Sequence, residues 1–417
     1  MGLTLHRRIS LFVVCGSMLA LLVGPPGTST ADAAACPGKT TTRGRGWTSM
    51  KGPAFEKPVI SSTPFNTGSF LEVSPVDSDV IFHGDPYQVV KTENGGCSWK
   101  TAFKLPMGNP DPNYPFFTDR ALIAGIHVPA GGKGKRVYIL VSSIHPVDHQ
   151  ILRSDDGGES WRTVSPGFPK LASGVSSTNL AVSESNPDVL YLHWSYTIIP
   201  VSSSGGTVSI PPTTYPVLFR SADGGETWGR VDDPVAAAGD LTGSLTDLEV
   251  DPIAPNDIWA WGNQFVRHST DGGKTWVTVS RVRTASGSGA EEIQIFHKSG
   301  SPAQVLVSPK LDRQPYFIFL SRDGGRTFDQ IGTPFGRVAG NKTMTFGKTA
   351  KQIVMSGWDG RRGSLWRFDM SRKRWIDISP PPGHGLGDIQ SVSSSKKTYL
   401  FGSYYVNGEV YRYSGKI

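Results

Sequence analysis

The chain has 417 residues, of which 37% are hydrophobic and 18% charged, with a formal net charge of +7. That length and apolar content can fill a sizeable core and exclude a disordered chain. The 49 Gly and 31 Pro, roughly a fifth of the residues, exclude a long-helix architecture and favour short strands joined by turns.

In chain order, Arg7 and Arg8 precede an apolar run from Ile9 to Val23, and a small-residue stretch then leads to Ala35 and Cys36. Charged, apolar and small residues in that order read as a secretory signal peptide over residues 1–35, leaving 36–417 as a single domain. The apolar run is short for a bilayer and no later stretch is long enough, so no membrane span is expected. The expected location is extracellular. A lipid anchor on Cys36 is the lesser alternative, because the apolar run ends well before that cysteine. Cys15 leaves with the signal, so Cys36 and Cys97 are expected to form one disulfide. The basic residues are scattered and read as a solvated surface, with an acidic glycan as a second reading. No nucleic-acid motif is present.

From Thr92 onward a motif recurs: Ser/Thr-x-Asp-x-Gly-x-x-Trp. It occupies Ser154–Trp161, Ser221–Trp228 and Ser269–Trp276, ends in Phe at Ser321–Phe328, and has Asn94 for the acid at Thr92–Trp99. Each copy leads into a short strand and follows alternating apolar segments such as "LEVSPVDSDVIFHG" and "LEVDPIAPNDIWAWG". Period-two alternation between turn signals predicts four antiparallel strands per unit. Counting the strands at Trp47 and Trp375, the spacing predicts an all-β, seven-bladed β-propeller of four-stranded antiparallel blades. Its last blade would join C-terminal strands to the strand at Trp47, closing the ring and leaving no open edge.

Within the motif, Asp156, Asp223, Asp271 and Asp323 can accept backbone N–H groups in a turn that the paired glycines permit. A calcium loop needs several alternating acids and a distal Glu, which the motif lacks. His145 and His149 stand four apart in a Pro-containing loop without further converging ligands, so no metal and no cofactor are expected.

These copies resemble Asp-box (BNR) repeats, and the chain from Cys36 to Ile417 is similar to the sialidase-like superfamily of propellers. That resemblance extends to xyloglucanase, sortilin-type and photosystem II assembly-factor propellers, which carry different functions on one scaffold. The early Phe-Arg-Ile-Pro segment of classical sialidases is absent.

Ligands are expected on the face opposite the motif turns. Candidate sugar-contacting residues there are Trp194, Tyr196, Trp261, Trp358, Asp359, Arg361 and Tyr404, since rings stack on pyranose faces and polar groups take the hydroxyls. Glycoside hydrolysis needs two carboxyl groups, and Asp119, Asp247, Glu291 and Asp388 are the candidates at the tunnel mouth. The leading expectation is a secreted monomer that recognises, and as a glycosidase could cleave, an extracellular glycan. The alternative is a non-enzymatic scaffold for a protein partner.

Overall fold

The computed structural model describes residues 40–44, 46–50, 52–53, 70–106, 121–143, 149–167, 175–198, 213–234, 245–262, 265–282, 290–309, 317–333, 343–347, 349, 351–358, 363–380, 388–393, 398–403 and 410–414. They form seven antiparallel sheets arranged as the blades of a propeller. The innermost strands of blades 1 to 7 are Phe70–Val73, Ala121–His127, Val175–Val182, Leu245–Val250, Ala290–Phe296, Thr343–Phe346 and Asp388–Ser393. In blades 1 to 6 the chain then runs outward through three more strands.

Blade 7 closes the ring. Its three C-terminal strands end in Val410–Tyr413, which pairs with Trp47–Met50 from the other end of the chain, Trp47 opposite Tyr413. Six blades have the four strands the sequence predicts. The seventh differs, because Thr40–Gly44 pairs outside Trp47–Met50 as a fifth strand.

Burial follows position in the blade. The second strands, such as Ile81–Gly84 and Ile258–Gly262, are buried at every residue because a neighbouring blade covers each face. The outermost strands, such as Lys100–Lys104 and Val277–Arg281, are polar and largely exposed. The apolar residues gather into seven clusters, and each of them spans the junction of two adjacent blades. Leu218 and Tyr191 of blade 3, for example, meet Leu248 and Ile258 of blade 4. The core is therefore a ring of wedges, and each blade is held by its two neighbours. Among the described residues no helix is long and apolar enough to cross a membrane.

Candidate functional site

Two regions concentrate polar chemistry: the rim carrying the Asp-motif turns and the channel on the ring axis. On the rim, the geometry repeats. Asp223 Oδ1 accepts the Ser221 hydroxyl at 2.8 Å and the Thr227 N–H at 2.9 Å, and Oδ2 accepts the Thr227 hydroxyl. Asp156, Asp271 and Asp323 do the same with Ser160, Thr275 and Thr327. The hydroxyl bonds, followed by the backbone bonds, hold Asp223, Asp271 and Asp323 down at about 2, and Asp156 is also lowered. Gly224 and Gly225 take φ of 74° and 92°, which the turn requires. Gly224 also donates to the Asp188 carbonyl of its own blade, tying the motif to the turn between the first two strands.

On the axis, side chains of one innermost strand satisfy N–H groups of the next. Asp247 Oδ2 accepts the Ile293 N–H at 2.9 Å, Glu72 Oε1 accepts Val128 N–H at 3.2 Å, and Glu292 Oε2 accepts Met344 N–H at 3.1 Å. An innermost strand has one edge without a sheet partner, and these groups supply the missing acceptors. Asp247 Oδ1 also accepts Asn179 Nδ2 at 2.9 Å and the Leu248 N–H at 3.0 Å. Despite those bonds, burial deep in the ring raises Asp247 to about 6. Glu249, two residues on, is raised well above the ordinary carboxyl value, first by burial and then by the charges of Asp247, Glu184, Glu292 and Glu72. Carboxyl groups of four blades, its own included, thus act on Glu249. Among the described residues no group of three His, Cys, Asp or Glu is placed to hold a metal ion.

Of the four carboxyl candidates, Asp247 is the one whose side chain is described. Asp119 lies outside the described residues. Glu291 and Asp388 fall in innermost strands, but their side chains lie outside them. Glu249 was missed by the sequence reading, although "LEV" at Leu248–Val250 repeats "LEV" at Leu71–Val73 and marks Glu72 and Glu249 as one position in two blades.

The aromatic candidates need correction. Trp194 and Trp261 are fully buried, with Trp261 in the wedge between blades 4 and 5, so neither ring offers a face to a sugar. Both lie within second strands, Leu190–Ile198 and Ile258–Gly262, and sequence pattern does not separate a strand residue under a neighbouring blade from one beside a loop. His83 and His193, in the second strands of blades 1 and 3, are buried too, and burial lowers His83 to about 3. The side chains of Tyr196 and Trp358, and Asp359, Arg361 and Tyr404 entirely, lie outside the described residues, as does Cys36.

No family model matches the chain. Curated relatives include a xyloglucanase of Hypocrea jecorina (strain QM6a), 23% identical over 264 residues, covering 60% of this chain and 26% of that protein. Xyloglucanase Xgh74A of Acetivibrio thermocellus is 28% identical over 198 residues, covering 40% of this chain and 22% of that protein. The chain thus spans about a quarter of the length of these relatives. Among solved structures, YCF48 from Cyanidioschyzon merolae superposes with a TM-score of 0.53 at 15% identity, covering 88% of this chain and 98% of that one. The likeness shows a shared propeller fold. An oligogalacturonate lyase in complex with manganese also shares the fold, with a TM-score of 0.51 at 11% identity over 83% of this chain and 88% of that one.

Proposed function

We infer that this chain is a secreted, glycan-recognising propeller whose axial carboxyl groups are suited to glycoside hydrolysis. One observation carries the reading: Asp247 and Glu249 project from the same side of one innermost strand, and both are held above the ordinary carboxyl range to different degrees. Glycosidases need one carboxyl group kept protonated to assist the leaving oxygen and a second that ionises. The similarity to xyloglucanases over 60% of the chain supports a polysaccharide as ligand. The test is incubation of the purified protein with neutral and acidic polysaccharides, with product analysis and retention measured together. Cleavage that Glu249→Gln abolishes while retention persists is the expected result. Absence of both cleavage and retention across the panel overturns it.

A second reading is a non-enzymatic protein-binding scaffold, favoured by the engagement of both Asp247 oxygens with Asn179, Leu248 and Ile293. A carboxylate committed to three donors is a fastening for the strand edge, which a scaffold needs and catalysis does not.

A further inference from the structure

The Asp-motif turns carry a second repeated device. Where the first three copies meet, the first, third and tenth positions of one copy, counted from the residue before Ser/Thr, stand against the seventh position of the next. Between blades 1 and 2 these positions bring Lys91 and Lys100 to Glu159, at 3.7 and 2.5 Å. Between blades 2 and 3 they bring Arg153 to Glu226 at 3.2 Å, and Arg162 to the same carboxylate. Asp155 adds a second acid, 3.0 Å from Arg153. Each of these two junctions thus closes with two cations on a shared acid.

The junction between blades 3 and 4 keeps the register and changes the residues. Arg220 stands where Arg153 and Lys91 do. The shared acid becomes Lys274, the acid of the third position becomes Ala222, and the outer cation becomes Gly229. Two positive groups now face a place with small residues where the partners stood. A cleft of about 550 Å³ opens there, lined by Arg220, Ala222, Thr227, Gly229, Asn256 and Lys274, together with Val231, Asp271 and Gly272.

Arg220 is held ready. It lies over the Tyr191 ring, its Nε donates to the Tyr191 hydroxyl at 3.2 Å, and one terminal nitrogen donates to Asn256 Oδ1 at 2.9 Å. Both acceptors are neutral, and three of its five N–H groups have no acceptor among the described residues. The one carboxylate lining the cleft, Asp271, has its oxygens taken by Ser269, Lys274 N–H and both donors of Thr275. Its hydrogen-bonding capacity is therefore taken up within its own turn, while its one negative charge stands against the two positive charges of Arg220 and Lys274.

The geometry points to an oxyanion-binding site in this cleft, with Arg220 and Lys274 taking a carboxylate or sulfate group in the place Glu226 fills one junction earlier. Arginine is suited to planar, paired recognition of such groups and lysine to a point-charge contact. This puts a ligand on the motif rim, the face that the sequence reading assigned to structure alone, and it does not depend on the glycan reading of the axis.

The experiment measures binding of sodium sulfate and of glucuronate to the wild-type protein by isothermal titration at constant ionic strength. The comparison variants are Ala222→Asp/Lys274→Glu, which rebuilds the closed arrangement of the preceding junction, Lys274→Ala, and the control Lys298→Glu on an exposed turn elsewhere. Saturable binding is expected in the wild type and the control, with affinity at least about tenfold weaker in the rebuilt variant and reduced in Lys274→Ala. Binding of both anions marks a general oxyanion site, and binding of glucuronate alone marks an acidic sugar as the ligand. Equal affinity in all four proteins, or no saturable binding in the wild type, overturns the proposal. Should the double variant not fold, unchanged affinity in Lys274→Ala overturns it equally.

Discussion

The Trp161 indole N–H donates to the Ala102 carbonyl of the preceding blade at 2.8 Å. The same bond runs from Trp228 to Val164, from Trp276 to Asp232, from Trp375 to Gly332 and from Trp47 to Ile378. The motif's aromatic therefore fastens one blade to the last residues of the blade before it. Its ring also covers the edge of the inter-blade wedge, as Trp161 does against the cluster containing Phe82 and Ile123.

Trp161→Phe keeps most of that ring and removes the donor, leaving the Ala102 carbonyl unmet. Urea unfolding should show a loss of about 1 kcal/mol. Trp161→Ala should cost about 3–5 kcal/mol, because it also empties part of the wedge. Equal losses for the two variants would show that the hydrogen bond matters more than the packing.

The Asp motifs set a dependence at the acid end of the pH range. Asp223 has its folded value lowered to about 2, chiefly by the Thr227 hydroxyl, so its contribution is present above the unfolded value of 3.8 and is lost as pH falls toward 2. Thr227→Val removes the leading cause. Carboxyl NMR titration should then find Asp223 moved upward toward the ordinary value, with Asp323 unmoved because Thr327 is intact. An unmoved Asp223 would mean that the backbone bonds alone hold it.

The repeat made the fold legible. Five motif copies mark five blades, the strands at Trp47 and Trp375 mark the other two, and the Asp–Gly–Gly chemistry states its own turn. The axial site was legible only in part. Asp247 stands out by sequence, but its role as an edge acceptor for Ile293 depends on which strands share the axis, and that follows from ring closure rather than local pattern. Trp194 and Trp261 misled for a related reason. An aromatic at the end of a strand reads alike whether a loop or a neighbouring blade lies over it. The fifth strand at Thr40–Gly44 carries no apolar alternation, so a period-two pattern does not reveal it.

Cys97 sits half-buried in the first motif turn, the copy that has Asn94 for the acid. We propose that it is joined to Cys36, fastening the N-terminal segment near the ring closure. Closing a loop of about 60 residues constrains the unfolded chain by roughly 4 kcal/mol in the chain-entropy account. Thiol titration of unreduced, denatured mature protein should find no free cysteine, and reduction should lower the unfolding midpoint. Two free thiols would remove the staple.

The axial carboxyl groups predict a decline in stability toward neutral pH. Burial raises Asp247 from 3.8 to about 6, so the folded state holds a proton that the unfolded state releases. A group raised in this way contributes fully below its unfolded value and loses that contribution as pH rises through its folded value, here over about pH 4 to 6 and by about 3 kcal/mol. Asp247→Asn should flatten that part of the stability curve, whatever offset the lost acceptor introduces. Glu249 is raised further, so the penalty it imposes persists to higher pH. Glu249→Gln, which cannot ionise, should match the wild type near pH 4 and exceed it increasingly as pH rises. Chemical unfolding of the three proteins at pH 4, 5, 6 and 7 tests both statements. Parallel curves would mean that water in the axial channel solvates these carboxylates and that they titrate as ordinary surface acids.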